Sequence, residues 1–370
     1  MNKRFEALDS FRGLAALFVV IHHMYYLGSI TEWSFFRHSA LFVEFFFILS
    51  GFVLSHSYAY KKEIYFKDYV ISRTFRIFPL HLVVLSAFIL LELLKLWITQ
   101  NSQSLKIVTF ENNMAISEIL PNILLLQAWL PNASNISYNP PAWSISIEYY
   151  MYMIFFTTLL FKPPFKTMSW ILISLSMFTL SVIQYDNIDD VIIRGLSSFF
   201  LGTLVYRAYK LFESKVSMNS SYFTLLEMML LISVCYVVSS NIVYQSIIVN
   251  ILFAITVWVF AFEKGFISFF LRYKIFLYFG KLSYSIYMIH VFIIFSFYWM
   301  IRLTEKLFNV HLTPIVKNTL YIDLGSSFYN NILVGCLIGL IVLVSHFTYK
   351  YIEQKGQLIG SKLRTRKTNK

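Results

Sequence analysis

LDSFRGLAALFVVIHH, Leu8 to His23, has the apolar run of a membrane span: Gly13 through Ile21 carries no charge. Asp9 and Arg12 stand at one end of that run, His22 and His23 at the other. An ionisable group inside a membrane segment is costly unless it faces a cavity or a partner. A helix serving only as an anchor has no use for such groups. The stretch therefore predicts a membrane protein whose first span lines something polar. MNKR followed by an apolar run also resembles a secretion signal. Asp9 and Arg12 break its front and no small-residue cleavage site follows, so the expectation is an uncleaved first span.

The rest of the chain agrees. Of its 370 residues 58% are hydrophobic, 19% aromatic and only 14% charged. A soluble domain carries about 25% charged residues. The apolar residues come in long runs, which excludes one large soluble core and predicts an all-α polytopic membrane protein. The heavy use of Phe and Tyr suits lipid-facing and interfacial positions. A formal charge of +12 would on a soluble face suggest nucleic acid; here it reads as topology, and no nucleic-acid partner is expected. Cys235 and Cys336 lie in apolar runs and read as small buried hydrophobes, with no metal-ligand spacing around them.

A window of about 20 mostly apolar residues gives ten candidate spans: 6–27, 38–58, 76–98, 142–161, 168–185, 191–209, 222–240, 243–262, 282–301 and 329–349. The run 116–130 is short and broken by Pro121, so it reads as an interfacial or re-entrant piece. The basic, aromatic stretch 264–281 reads as lying on the membrane surface. Lys and Arg stay on the cytoplasmic side. With the N-terminus inside, inner segments hold 23 of them and outer segments 7, among the latter Arg37, Lys95, Lys106 and Arg194. Both termini are therefore expected in the cytoplasm. The acidic residues Asp186, Asp189 and Asp190 fall outside. Residues 1–350 form the transmembrane domain and 351–370 a basic cytoplasmic tail, read as a solvated end with anionic lipid headgroups as the alternative partner.

Depth then sorts the charges. Arg12 and His23 are 11 residues apart, ~16 Å along a helix and close to three full turns, so they share a face. A cation near the inner side and an imidazole in the outer half suit a long ligand with an anionic head and a reactive far end. Glu44 on the second span and Glu148 on the fourth fall at the depth of His23 and are expected to cluster with it, orienting the ring for general-base catalysis. Arg73 and Arg76, one helical turn apart, join Arg12 as a phosphate grip. Structural alternatives stand beside these readings. Asp9 and Arg12 can form an ion pair, and Arg73 and Arg76 can be ordinary inner-side cations. His22 reads as an interfacial histidine, and Glu92 and Glu227 as snorkelling or packing residues.

Five segments resemble the membrane acyltransferase-3 family, which includes bacterial O-antigen and exopolysaccharide O-acetyltransferases. LDSFRGLAALFVVIHH is similar to the family opening, with Arg12 and His23 at its Arg-x10-His spacing. VEFFFILSGFVLS (43–55) carries Glu44 in the acidic position. SRTFRIFPLHLV (72–83) has Arg73, Arg76 and Pro79, the proline read as shaping the start of its span. PAWSISIEYYMY (141–152) resembles the Trp-Ser-x-Ser-x-Glu motif, with Trp143, Ser144 and Glu148. GKLSYSIYMIH (280–290) resembles the late Ser-Tyr-Ser…His motif. Ser10 and Phe11 in the opening depart from the family pattern.

The resemblance implies acyl transfer from acyl-CoA, usually acetyl-CoA, to a hydroxyl of a cell-envelope polysaccharide or lipid-linked sugar, in a bacterial inner membrane. Acetyl-CoA would be a co-substrate, with no permanently bound cofactor and no metal. Arg12, Arg73 and Arg76 would hold the CoA phosphates. His23 would act as base or covalent acyl carrier, with Glu44 or Glu148 orienting it. Ser144, Ser146, Ser283, Tyr284, Ser285 and His290 are candidates for oxyanion or acceptor contacts, His290 equally for packing. A transporter or flippase of lipid-linked sugar and a non-catalytic assembly or sensor protein are the rival classes. Labelled acetyl-CoA and a His23→Ala variant separate them from the enzyme.

Overall fold

In the computed structural model, residues 3–101, 108–185, 187–216 and 219–365 are described. Lys106, Asp186 and the last five residues of the basic tail lie outside the described residues. The longer helices are α1 (Glu6–His22), α2 (Phe42–Tyr58), α3 (Phe66–Asn101), α4 (Ala142–Leu159), α5 (Pro163–Val182) and α6 (Asp190–Phe212). They continue with α7 (Ser220–Ser239), α8 (Gln245–Phe260), α9 (Lys274–Phe308), α10 (Ser327–Thr348) and α11 (Gln354–Thr365). The fold is helical, and each expected span falls on one of α1–α10. Among the described residues, seven helical segments are long and apolar enough to cross a membrane: Ser39–Tyr58, α3, α5, α6, α7, α9 and Ser327–Arg364, the last joining α10 and α11. The chain is a multi-pass membrane protein.

Local chemistry sets several boundaries. Pro163 and Pro164 open α5, where a missing amide hydrogen costs nothing. The Asp189 carboxylate accepts from Val191 N at 3.1 Å and caps α6. Ser326 caps α10 through Tyr329 N. Segment 116–130 holds a 3-10 turn, Ile116–Glu118, a short helix, Ile119–Ile123, and turns. It is pinned by the Ser146 hydroxyl, which donates to Leu125 O at 2.5 Å, and by the Trp129 indole, which donates to Ser146 O at 3.2 Å.

Four expectations are corrected. Pro79 is not at a helix start: α3 begins at Phe66 and keeps Pro79 in its interior. Proline cannot donate to the carbonyl four residues back, here Phe75 O, and Gly356 and Gly360 of α11 pack against Phe75 and Pro79. Residues 274–281 do not lie in a surface segment; they are the first turns of α9, while a short helix, Phe266–Leu271, precedes them. The expected solvated tail is instead α11, continuous with α10 through a π-helical turn, Tyr349–Glu353, and packed on α3. Cys235 and Cys336 are free but exposed, on the outward faces of their helices.

Two glycine crossings bring the site together. A Cβ at Gly13 would meet Gly280 N at 2.5 Å, and one at Gly280 would meet Asp9 O at 2.3 Å. Only with glycine at both positions can α1 and α9 approach backbone to backbone, as small residues allow in membranes. Gly51 on α2 and Gly202 on α6 do the same, facing Phe199 O and Ile48 O at 2.0 Å from the would-be Cβ atoms.

Candidate active site

Between α1, α2, α3, α4, α9 and the π-helical turn lies a cavity with about 850 Å3 of empty volume, part of it open to the surroundings. Arg12, Arg73 and Arg76 line it together with Lys281, Glu148 and Glu353. Four cations against two carboxylates leave an excess of positive charge in a confined space, which suits an anionic ligand. Arg12 is held by three groups: its Nε donates to Ser283 Oγ at 2.9 Å, its Nη2 donates to Gly280 O at 3.1 Å, and Asp9 lies 3.4 Å away. The Asp9–Arg12 ion pair therefore exists, shared with Arg4 at 2.7 Å, and it coexists with Arg12 lining the cavity. Arg73 sits over the rings of Tyr58 and Tyr152, 5.9 and 5.7 Å from their centroids. Its Nε is buried without a partner among the described residues. Arg76 makes no hydrogen bond or ion pair within the described residues, which leaves its guanidinium free for a ligand.

The far end of α1 meets α9. His23 Nδ1 lies 2.9 Å from Val19 O and 3.3 Å from His290 Nε2. The two rings are 4.9 Å apart, edge to face. His290 Nδ1 lies 2.7 Å from Tyr287 O. A carbonyl only accepts, so in the neutral rings both Nδ1 atoms carry hydrogen. Assigned in this way, His290 Nε2 accepts from His23, and His23 Nε2 keeps its lone pair. That is the tautomer a general base needs. Tyr287 links the two ends: it lines the cavity, bonds Ser144 Oγ at 2.8 Å and receives His290 through its carbonyl.

The expected cluster of His23, Glu44 and Glu148 does not form. Glu148 faces the arginine cavity, where Ser50 and Tyr152 donate to its Oε1 at 2.8 and 2.5 Å. Glu44 is buried and paired with Arg194 of α6, which donates to Oε1 at 2.7 and 2.5 Å, with Ser246 at 3.4 Å. Counting along the spans found neither carboxylate's partner: Glu148 sits level with Ser50, about 9 Å further along α2 than Glu44, and rotation about each helix axis was unknown. Of the hydroxyl candidates, Ser144, Ser283 and Tyr284 line the cavity, Tyr284 donating to Ile77 O at 2.7 Å. Ser285 donates to Glu353 at 3.1 Å. Ser146 instead anchors segment 116–130. Glu92 forms a buried ion pair with Lys95. Glu227 accepts from the amides of Gly265, Ile267 and Ser268 and from the Ser268 hydroxyl, fixing the short helix Phe266–Leu271.

Lys281, Glu353, Tyr152 and Tyr287 were missed as site residues. Lys281 and Tyr287 stood inside the quoted segment 280–290, and Tyr287 is one helical turn from His290, a spacing that places both on one face. Glu353 carried no signal, since it follows the last apolar run.

Fold and site together define a multi-pass membrane protein with a cationic cavity and a histidine pair formed between its first span and α9. The sequence matches the acyltransferase domain family over residues 5–350, so the chain belongs to the acyltransferase-3 family. It is also similar to the acyltransferase MdmB of Streptomyces mycarofaciens, 31% identical over 133 residues; the alignment covers 35% of this chain and 31% of that protein. No solved structure matches the chain.

Proposed function

We propose that the protein transfers an acyl group, acetyl in the first instance, from acyl-CoA to a hydroxyl of a cell-envelope polysaccharide or lipid-linked sugar. The observation that carries this reading is the convergence of Arg12, Arg73 and Arg76 in one cavity, with the His23–His290 pair at the far end of α1. Arginine recognises phosphate by paired, charge-assisted hydrogen bonds, and CoA presents phosphates at one end and a thioester at the other. In this reading the phosphates bind the arginines and Lys281, and the pantetheine arm runs along α1 past Ser144 and Tyr287. His23 Nε2 takes the proton of the acceptor hydroxyl as its oxygen attacks the thioester carbonyl. The Ser144 and Tyr287 hydroxyls, bonded to each other and to Pro141 O, would turn from that carbonyl to donate to the oxyanion. The carbon–sulfur bond breaks, and the CoA thiolate takes the proton back from His23. His290 orients His23 and accepts from its Nδ1 while the imidazolium lasts, the role a triad's third member plays.

The 23-to-7 distribution of Lys and Arg supports ten spans with both termini in the cytoplasm of a bacterial inner membrane. The cationic cavity then opens to cytoplasmic acyl-CoA, and His23 lies in the outer half. The experiment is purified protein in nanodiscs with labelled acetyl-CoA, joined to mass analysis of envelope glycans from cells with and without the gene. Label in a glycan, lost with His23→Ala, supports the reading. Glycan masses unchanged by gene loss, with no label transferred, reject it.

A further inference from the structure

A second cavity lies on another side of α1, between α1, α2, α7, α8 and the short helix Phe266–Leu271, with about 940 Å3 of empty volume. Its α1 wall is Phe11, Leu14, Ala15 and Phe18, a stripe about 100° round the helix from Arg12 and His23. That wall extends ~10 Å along the axis. The lining is hydrocarbon and aromatic; its one hydroxyl, Thr256, is spent on Leu252 O at 2.7 Å. Cys235 and Phe270 line the cavity and are also exposed, so its mouth faces outward from the bundle, where lipid lies.

The rim of the mouth is charged and aromatic. Ser10 Oγ of α1 donates to Leu271 O at 2.6 Å, which sets the short helix beside the start of the cavity. Directly after it come Arg272, Tyr273 and Lys274, all exposed. Arg272 Nε is paired with Glu6 at 3.0 Å; Lys274 has no hydrogen bond or ion pair to a described residue. Phe266, Phe269 and Tyr273 are 64%, 59% and 53% exposed, a density of aromatic rings that belongs at a membrane interface. Cations at the interface attract anionic headgroups.

We infer that this cavity holds one acyl chain of an anionic phospholipid, with the headgroup phosphate at Lys274 and Arg272. The occupant is committed by the combination: a carbon-only slot open to the bilayer, and free positive charge at the rim where the chain would meet its headgroup. The bound chain braces the face of α1 that lies behind Arg12.

The test uses the full chain purified into nanodiscs of phosphatidylcholine with a trace of phosphatidylglycerol bearing a diazirine on one acyl chain. After illumination, label is expected to concentrate on peptides containing Phe11–Phe18, Leu231–Cys235 and Ile267–Phe276. Cys235→Trp fills the mouth from its exposed side, and Leu231→Trp fills it one helical turn away; each is expected to cut that labelling severalfold, as is Lys274→Glu. Unlabelled phosphatidylglycerol should compete and phosphatidylcholine should not. Label spread evenly over lipid-facing helices overturns the site. So does labelling unchanged by both tryptophan variants in protein that elutes as the wild type does, or equal competition by phosphatidylcholine. None of these readouts depends on acyl transfer, so they fail or succeed separately from the proposed reaction.

Discussion

Gly280→Ala tests the crossing that joins α1 and α9, the helices that bring His23 to His290. The added methyl would sit 2.3 Å from the Asp9 carbonyl oxygen and 2.7 Å from its carbon. Ordinary van der Waals contact begins at 3.4 Å, so α1 must retreat by roughly 1 Å, because close-packed interiors leave no slack. Both obstacles are backbone atoms, and no rotamer change relieves them. Overpacking of this kind costs about 1–3 kcal/mol. The retreat would also draw Arg12 away from Ser283 Oγ and Gly280 O, now at 2.9 and 3.1 Å, and open the 3.3 Å contact between His23 and His290. A misplacement of ~1 Å in a catalytic array lowers rates by about 10²-fold. The expected variant still inserts in the membrane, unfolds at a lower temperature and loses about two orders of magnitude in kcat/KM. The assay is transfer of labelled acetyl from acetyl-CoA by protein in nanodiscs, run beside thermal unfolding. Gly335→Ala on α10 is the control, since a methyl there meets nothing within 4 Å. Wild-type activity and wild-type melting in Gly280→Ala would refute the reasoning.

Arg73→Ala and Arg76→Ala should each raise KM for acyl-CoA by about tenfold, the loss of one charge-assisted contact, with turnover at saturation less affected. A pure fall in kcat at unchanged KM would remove these arginines from donor binding. Glu227→Ala removes the acceptor of four hydrogen bonds that hold Phe266–Leu271. It should cost about 2 kcal/mol of stability, read as a lower midpoint of thermal unfolding with KM for acyl-CoA unchanged. Glu44→Gln leaves Arg194 without its buried carboxylate and should lower the yield of folded protein more than it changes KM. A fall in kcat at normal yield would return Glu44 to the role expected for it beside His23.

The first span was legible because its charges sat where an anchor has none. Arg12, Arg73 and Arg76 were grouped by helical arithmetic and by a family spacing, and the cavity brings all three together. The carboxylates were not legible in the same way. Glu148 sits level with Ser50, about 9 Å further along α2 than Glu44, and the two face different helices, since azimuth is set by packing at glycines such as Gly51 and Gly202. His290 was ambiguous because a buried histidine on a mostly apolar helix looks the same whether it packs or orients a partner. Hydropathy windows shortened α3 and α9 at their charged ends: Lys, Arg and Glu are good helix formers, but an apolar scan stops at them. Glu353 and α11 were hidden for that reason, with the added disguise of a basic composition that suggested a solvated tail.

The cavity is walled by α1 at one end of the chain and by Glu353 at the other, with α11 locked on Phe75 and Pro79 behind it. During synthesis the arginines of α1 and α3 enter the membrane long before that wall exists. A ribosome must translate past residue 353 before the pocket is complete. Helix α11 is thus a checkpoint on the site: a chain that has not reached it has the cations but not the enclosure. Order of synthesis, as much as sequence, decides when the pocket closes.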